Sequence, residues 1–267
     1  MLTTLAMVVV AVAVFVFARG GRRPLELSID RGVIQQDLGY FLVMYSLAVV
    51  AGLLKSKPVD YALVIVLMVG YVYYVRRHFQ TEGADDPEAG EDIMPLYVWS
   101  WLQKVMRSLP AWTKDGPVGA PFVQVAVALG LIIFGAEIFV GAVSDIGTAA
   151  GIPPLAFSLL VAPLATELPE KFNSVLWLRD NKDTLAIGNI TGAMVFQSTI
   201  PVSIGVLFTP WQLDDLSALA AGLAILSSLV FLGFLLRKAP LKAFYMLGAG
   251  SLYILFVATA AFTLIGG

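Results

Sequence analysis

Two stretches decide the reading of this chain: "APLATELPEK" at residues 162–171 and "GNITGAMVFQ" at residues 188–197. The first sets Glu167, Glu170 and Lys171 in a part of the chain otherwise apolar enough for lipid. Ionisable side chains inside a membrane cost roughly several kcal/mol each unless they are paired, hydrated or turned to a cavity. On a helix, Glu167 and Glu170 stand three apart and Glu167 and Lys171 four apart, so all three fall near one face. A Glu167–Lys171 ion pair would by itself make the segment tolerable. Glu170 needs another explanation. Pro163 and Pro169 bracket the site, and each removes a backbone donor and disturbs the hydrogen-bond ladder one turn earlier. Carbonyls near Ala165 and Thr166 are thereby released beside a carboxylate. Unwound backbone next to an acid at mid-membrane is how transporters build sites for small cations. Oxygen ligands of this kind suit a hard ion such as Ca2+ or Na+.

The surroundings fit a membrane setting. Of 267 residues, 58% are hydrophobic and 13% charged, about half the charged share of a soluble domain. Eight apolar runs, near 2–18, 34–54, 59–75, 120–143, 153–178, 183–208, 214–236 and 241–264, are each about long enough to span as a helix. They are continuously apolar rather than alternating, which favours helices over a barrel. The expected class is an all-α polytopic membrane protein of about eight transmembrane helices. The net charge of −2 gives no basic footprint for nucleic acid. The absence of cysteine removes disulfides, thiolate metal sites and thiol redox chemistry. An intramembrane enzyme finds no support either, with no histidine in a span and no serine–lysine or paired-aspartate constellation. The single histidine, His78, reads as a solvated residue in the connection after the third span.

Lysine and arginine are distributed asymmetrically. Fourteen lie in the connections after spans 1, 3, 5 and 7, while the other side holds only Lys55 and Lys57. The positive-inside rule then places both termini away from the cytoplasm, in a plasma or inner membrane. The long connection 76–119 opens with an acidic, linker-like run, "QTEGADDPEAGED", whose spacing is not that of a calcium-binding helix–loop–helix. It continues into "PLYVWSWLQKVMRSLPAW", which suits an interfacial helix. Three domains are expected: 1–75 with three spans, the linker 76–119, and 120–267 with five spans.

The second stretch supplies a matching half. Gly188 and Gly192 are four apart, which permits close helix approach, and Gln197 lies on an apolar background. Together, "LVAPLATELPEKFNSV" and "LAIGNITGAMVFQ" resemble the paired signature helices of the cation/calcium exchangers, a superfamily that includes sodium/calcium antiporters. Those helices read approximately G-T-S-x-P-E and G-N-x-x-G-S-N-x-F-N or -D. Upstream, "LIIFGAEIFVGAVSDIGTAAGIPPLAFSLL" is similar to the helix and linker that open the family's second repeat. The resemblance covers about 120–265 well and 20–75 loosely.

The resemblance implies an inverted-repeat fold with two five-helix repeats and a cation site at the midplane. Glu170 matches the principal ion ligand, Thr166 the threonine that offers oxygen, and Gln197 the position of Asn or Asp. The cation-binding set is thus Glu170, Thr166, Gln197 and Glu167, with Glu170 and Gln197 as the metal ligands. Departures are substantial: Glu167 replaces a serine, Ala193 a serine and Met194 an asparagine. Hydroxyl and amide oxygens are lost and a carboxyl is gained, so Ca2+, Na+ or another small cation, and Na+ or H+ as counter-ion, all stay open. No cofactor is implied, because the transported cation is cargo. Glu137, in "FGAEIFV", either neutralises charge near the hairpin or is a buried, hydrogen-bonded acid. The first repeat's hairpin has no counterpart before residue 20, so the first repeat is expected to be incomplete. Asp37 and Asp60, the only acids of spans 2 and 3, are expected near a membrane surface. A second copy of the chain or a partner carrying the missing repeat would then complete the site, and a non-transporting subunit is the competing reading.

Overall fold

Wherever the apolar runs are described, they fold as helices. The computed structural model describes residues 2–54, 56–82, 120–151, 171–237 and 240–265. In chain order these give α1 (Leu2–Arg19), α2 (Arg31–Leu54), α3 (Lys57–Glu82), α4 (Ala120–Ala149), α5 (171–179), α6 (Asp183–Phe208), α7 (Asp215–Leu236) and α8 (Ala243–Ile265). Helices α2, α3, α4, α6 and α7 are long and apolar enough to cross a membrane, while α1 and α8 carry shorter apolar stretches. A helix satisfies its own backbone groups, which is the condition lipid imposes. The protein is therefore an all-helical membrane protein. Most of the expected span 153–178 lies outside the described residues, and only its last part is seen, as α5.

The chain divides into two units, residues 1–77 with 155–267, and residues 78–154. In the second unit, α4 is a single 30-residue helix with Glu137 in its second half. The acidic run and the interfacial segment, from residue 83 onward, lie outside the described residues.

In the first unit, α1 lies along α8 and α2 along α6, with α7 touching α1, α2 and α8. The main core gathers Val10 of α1, Ile34 and Leu38 of α2, Ile190 of α6, Phe231 of α7 and Met246 of α8. A second cluster joins Met44 and Ala48 of α2 to Leu67 of α3 and Val206 of α6. Large apolar side chains also cover the outside, among them Val43, Val50, Ile65 and Val69. In water such a surface would be an aggregation site, whereas lipid accepts it.

One end of this unit is bound by residues 20–31. Glu26 and Leu27 (β1) pair antiparallel with Lys242 and Leu241 (β2), the one departure from a purely helical expectation among the described residues. The segment crosses the α7–α8 connection there, and each backbone supplies the other's missing hydrogen bonds. Asp30 then starts α2 by accepting from the Gly32 N–H at 2.8 Å, an N-cap that satisfies a first-turn donor. Arg31 and Gln35 donate to the Leu235 carbonyl at the end of α7, at 3.2 and 3.4 Å.

One expectation is corrected. His78 is half-buried on α3, not in a loop, because no proline or glycine stops the helix before Gly83. Asp37 and Asp60 are buried in protein, 1% and 3% exposed. In α2 the buried positions Ile34, Asp37, Leu38, Phe41, Met44, Ala48 and Ala51 follow helical spacing, so Asp37 belongs to the packed face.

Candidate functional site: the α5–α6 hairpin

The described hairpin consists of α5, a tight turn and α6. Asn181 takes a left-handed conformation (φ 60°), which asparagine tolerates better than most residues. The Lys182 N–H donates to the Trp177 carbonyl at 2.8 Å and the Asn181 N–H to Leu178 at 3.3 Å. These bonds end α5 and return the chain within three residues. At the tip, Arg179 and Asp180 form an exposed ion pair at 2.9 Å. The hydrogen bond from Arg179 holds the Asp180 carboxyl below the usual carboxylate range.

A buried ion pair fixes this turn to the end strap. Arg23 contacts Asp183 at 2.9 Å, with side chains 0% and 4% exposed. The same guanidinium donates to the Leu178 carbonyl at 2.9 Å. The Ser28 N–H donates to Asp183 at 2.8 Å, and the Asp30 N–H donates to Thr184 Oγ1 at 2.9 Å. Both arms of the hairpin are thus held at their joined end by residues 23–30.

Farther along, Ser174 joins the two arms. Its hydroxyl donates to the Ala186 carbonyl at 3.0 Å and accepts from Asn189 Nδ2 at 3.2 Å. Lys171, at the start of the described part of α5, is buried. Thr191 donates to the carboxylate of Asp37 at 2.6 Å, and Tyr74 of α3 donates to the other oxygen at 2.9 Å. Three helices therefore meet on one buried carboxylate. A Cβ at Gly192 would stand 3.7 Å from the Tyr74 hydroxyl, and one at Gly188 3.9 Å from Ile34 Cδ1. Both distances are ordinary van der Waals contact, so the glycines of "GNITGA" lie on the face of α6 that meets α2 and Tyr74 without being crowded there.

Of the four expected cation-binding residues, Gln197 is described. It is half-buried within α6. Thr166, Glu167 and Glu170 lie outside the described residues, so the expected convergence of Glu170 with Gln197 remains a proposal. Four residues beyond Gln197, Pro201 sits inside α6. Proline has no N–H, so the α-helical bond that would end on the Gln197 carbonyl is missing. That signal was open to the sequence reading, as was the packed face that carries Asp37. Among the described residues, no group of three or more His, Cys, Asp or Glu side chains could hold a metal ion.

Comparison with known proteins agrees with the hairpin. The chain is 23% identical over 226 residues to the inner membrane protein YrbG of Escherichia coli (strain K12), covering 82% of this chain and 63% of that protein. It is 28% identical over 164 residues to a protein of Alkalimonas amylolytica named "Putative antiporter CaxA", covering 58% of this chain and 50% of that one. The matched region thus spans between half and two thirds of each relative's length. The model of the sodium/calcium exchanger protein family matches residues 120–264, more than half of the sequence and all of the hairpin. With its helical spans and its signature hairpin, the chain belongs to the sodium/calcium exchanger protein family.

Proposed function

We propose that the protein is a secondary active cation antiporter that moves Ca2+ or another small cation against Na+ or H+ by alternating access. The observation that carries the reading is the hairpin itself, a close-packed α6 with Gln197 on it, folded back on the helix that follows Glu170. Glu170 is the main anionic ligand, Thr166 and Gln197 are neutral ligands, and Glu167 is a further ligand or a proton site. Adjacent carboxyls disfavour double ionisation, so one of the two takes a proton when the cation leaves. The basic connections face the cytoplasm, with both termini on the other side of the plasma (inner) membrane. Residues 1–75 form part of the first repeat and 120–267 the second, joined by the linker 76–119.

Cation binding is tested on the purified full chain by thermal unfolding in CaCl2 or NaCl. A ligand of the folded state stabilises by about 2.7 kcal/mol at a hundredfold excess over its dissociation constant. The wild-type protein should be stabilised by one of the salts beyond a choline chloride control, and Glu170→Gln should not. The absence of any cation effect on the wild type would refute the reading and favour a non-transporting membrane subunit.

A further inference from the structure

The hydrogen bonds at Asp37 reach beyond packing. The carboxylate is 1% exposed and accepts from Tyr74 of α3 and Thr191 of α6. Thr191 also lies 3.3 Å from the Ile187 carbonyl and 3.4 Å from that of Gly188. A hydroxyl has one proton, and the 2.6 Å contact to the carboxylate is the short, charge-assisted geometry. The neighbouring buried hydroxyls of Ser198 and Thr199 bond instead within α6, to the Val195 carbonyl. Beyond the helix start, where Asp183 and Thr184 hold residues 23–30, Thr191 is the α6 hydroxyl that donates to a side chain of the first part of the chain.

Thr191 and Gln197 are six residues apart. On an α-helix that is about 9 Å of rise and about 120° of net rotation. Nearly two turns of helix therefore separate the residue that Asp37 holds from Gln197, and Asp37 acts on Gln197 through the helix. The bond fixes both the rotation and the height of α6, and therefore the position of Gln197. We propose that Asp37 is a positioning residue of the exchanger site: it holds the signature helix through Thr191, with Tyr74 holding the carboxylate from α3. This inference rests on the cation reading of Gln197.

The test uses Thr191→Val, which keeps the shape and removes the donor, Thr191→Ser, which keeps the donor, and Asp37→Asn. The probe is CaCl2 or NaCl, whichever stabilises the wild type, titrated against thermal unfolding of the purified full chain. A purely structural bond would lower the melting temperature without salt and leave the cation concentration for half-maximal stabilisation unchanged. Positioning predicts that Thr191→Val raises that concentration about tenfold, the loss expected for a charge-assisted hydrogen bond that orients a ligand, and that Thr191→Ser restores it. Asp37→Asn can still accept from Thr191 and should fall between the two; should Thr191→Val fail to fold, Asp37→Asn must show the raised concentration by itself. An unchanged concentration in both variants, beside a normal wild-type response, would overturn this inference alone. No response in the wild type would overturn the cation reading and this inference with it.

Discussion

Arg23 and Asp183, 160 residues apart in sequence, form a buried ion pair at 2.9 Å that ties the strap after α1 to the first residue of α6. The pair is supported on both sides. Asp183 also accepts from the Ser28 N–H, and Arg23 also donates to the Leu178 carbonyl. An anion at the start of a helix is favoured by the helix dipole. The arrangement anchors the closed end of the hairpin, opposite in direction to where α6 carries Gln197.

Removing one partner of that pair leaves an uncompensated buried charge. Arg23→Met should destabilise the protein by about 3–5 kcal/mol, and replacing both partners with apolar residues should recover a large part of the loss. Denaturant unfolding in detergent of the single and double variants measures it. Equal stabilities for wild type and Arg23→Met would contradict the geometry.

At the other end of α6, Gly52 is crowded. A Cβ there would meet Leu213 Cδ1 at 2.6 Å and Trp211 Nε1 at 3.2 Å, while Trp211 donates to the Ala48 carbonyl at 3.0 Å. Gly52→Ala should cost about 1–3 kcal/mol through displacement of that loop. Gly70→Ala meets the flexible methyl end of Met44 instead and should cost less. Melting temperatures of the two variants give the order.

Asp214 caps α7 by accepting from the Ser217 N–H at 3.0 Å. Asp214→Ala should lose about 1 kcal/mol, and Asp214→Asn, which caps as well, only a few tenths. Chemical unfolding of the pair of variants distinguishes a cap from a general effect of charge.

Gln197→Ala removes the amide proposed to face the cation. The salt concentration for half-maximal thermal stabilisation should rise about tenfold, corresponding to a lost ligand contact of about 1.4 kcal/mol. Unfolding without salt should change little, since Gln197 is only half-buried.

Much of the fold was legible because lipid enforces a simple code. The expected span 183–208 coincides with α6, and 214–236 and 241–264 fall within a residue or two of α7 and α8. Helix ends beyond the apolar runs were less legible. Nothing in "VRRHFQTE" breaks a helix, so α3 runs on past Arg76, Arg77 and His78. The contacts of the strap were not legible at all. Arg23 counted as one of many basic residues in a connection, and only tertiary structure shows that it pairs with Asp183. The burial of Asp37 was not read for a different reason: only its depth along the helix was considered, and the face of the helix decides burial. Of the candidate site, the helix that carries Gln197, and Gly188 and Gly192 on it, were readable from the apolar run and the spacing.

The most direct test of the account is cation flux into sealed vesicles containing the full chain, comparing wild type with Glu170→Gln at equal abundance in the membrane. The account predicts Ca2+ or Na+ uptake that depends on an opposing Na+ or H+ gradient, and its loss in Glu170→Gln while the protein stays folded. Full exchange by Glu170→Gln would contradict it.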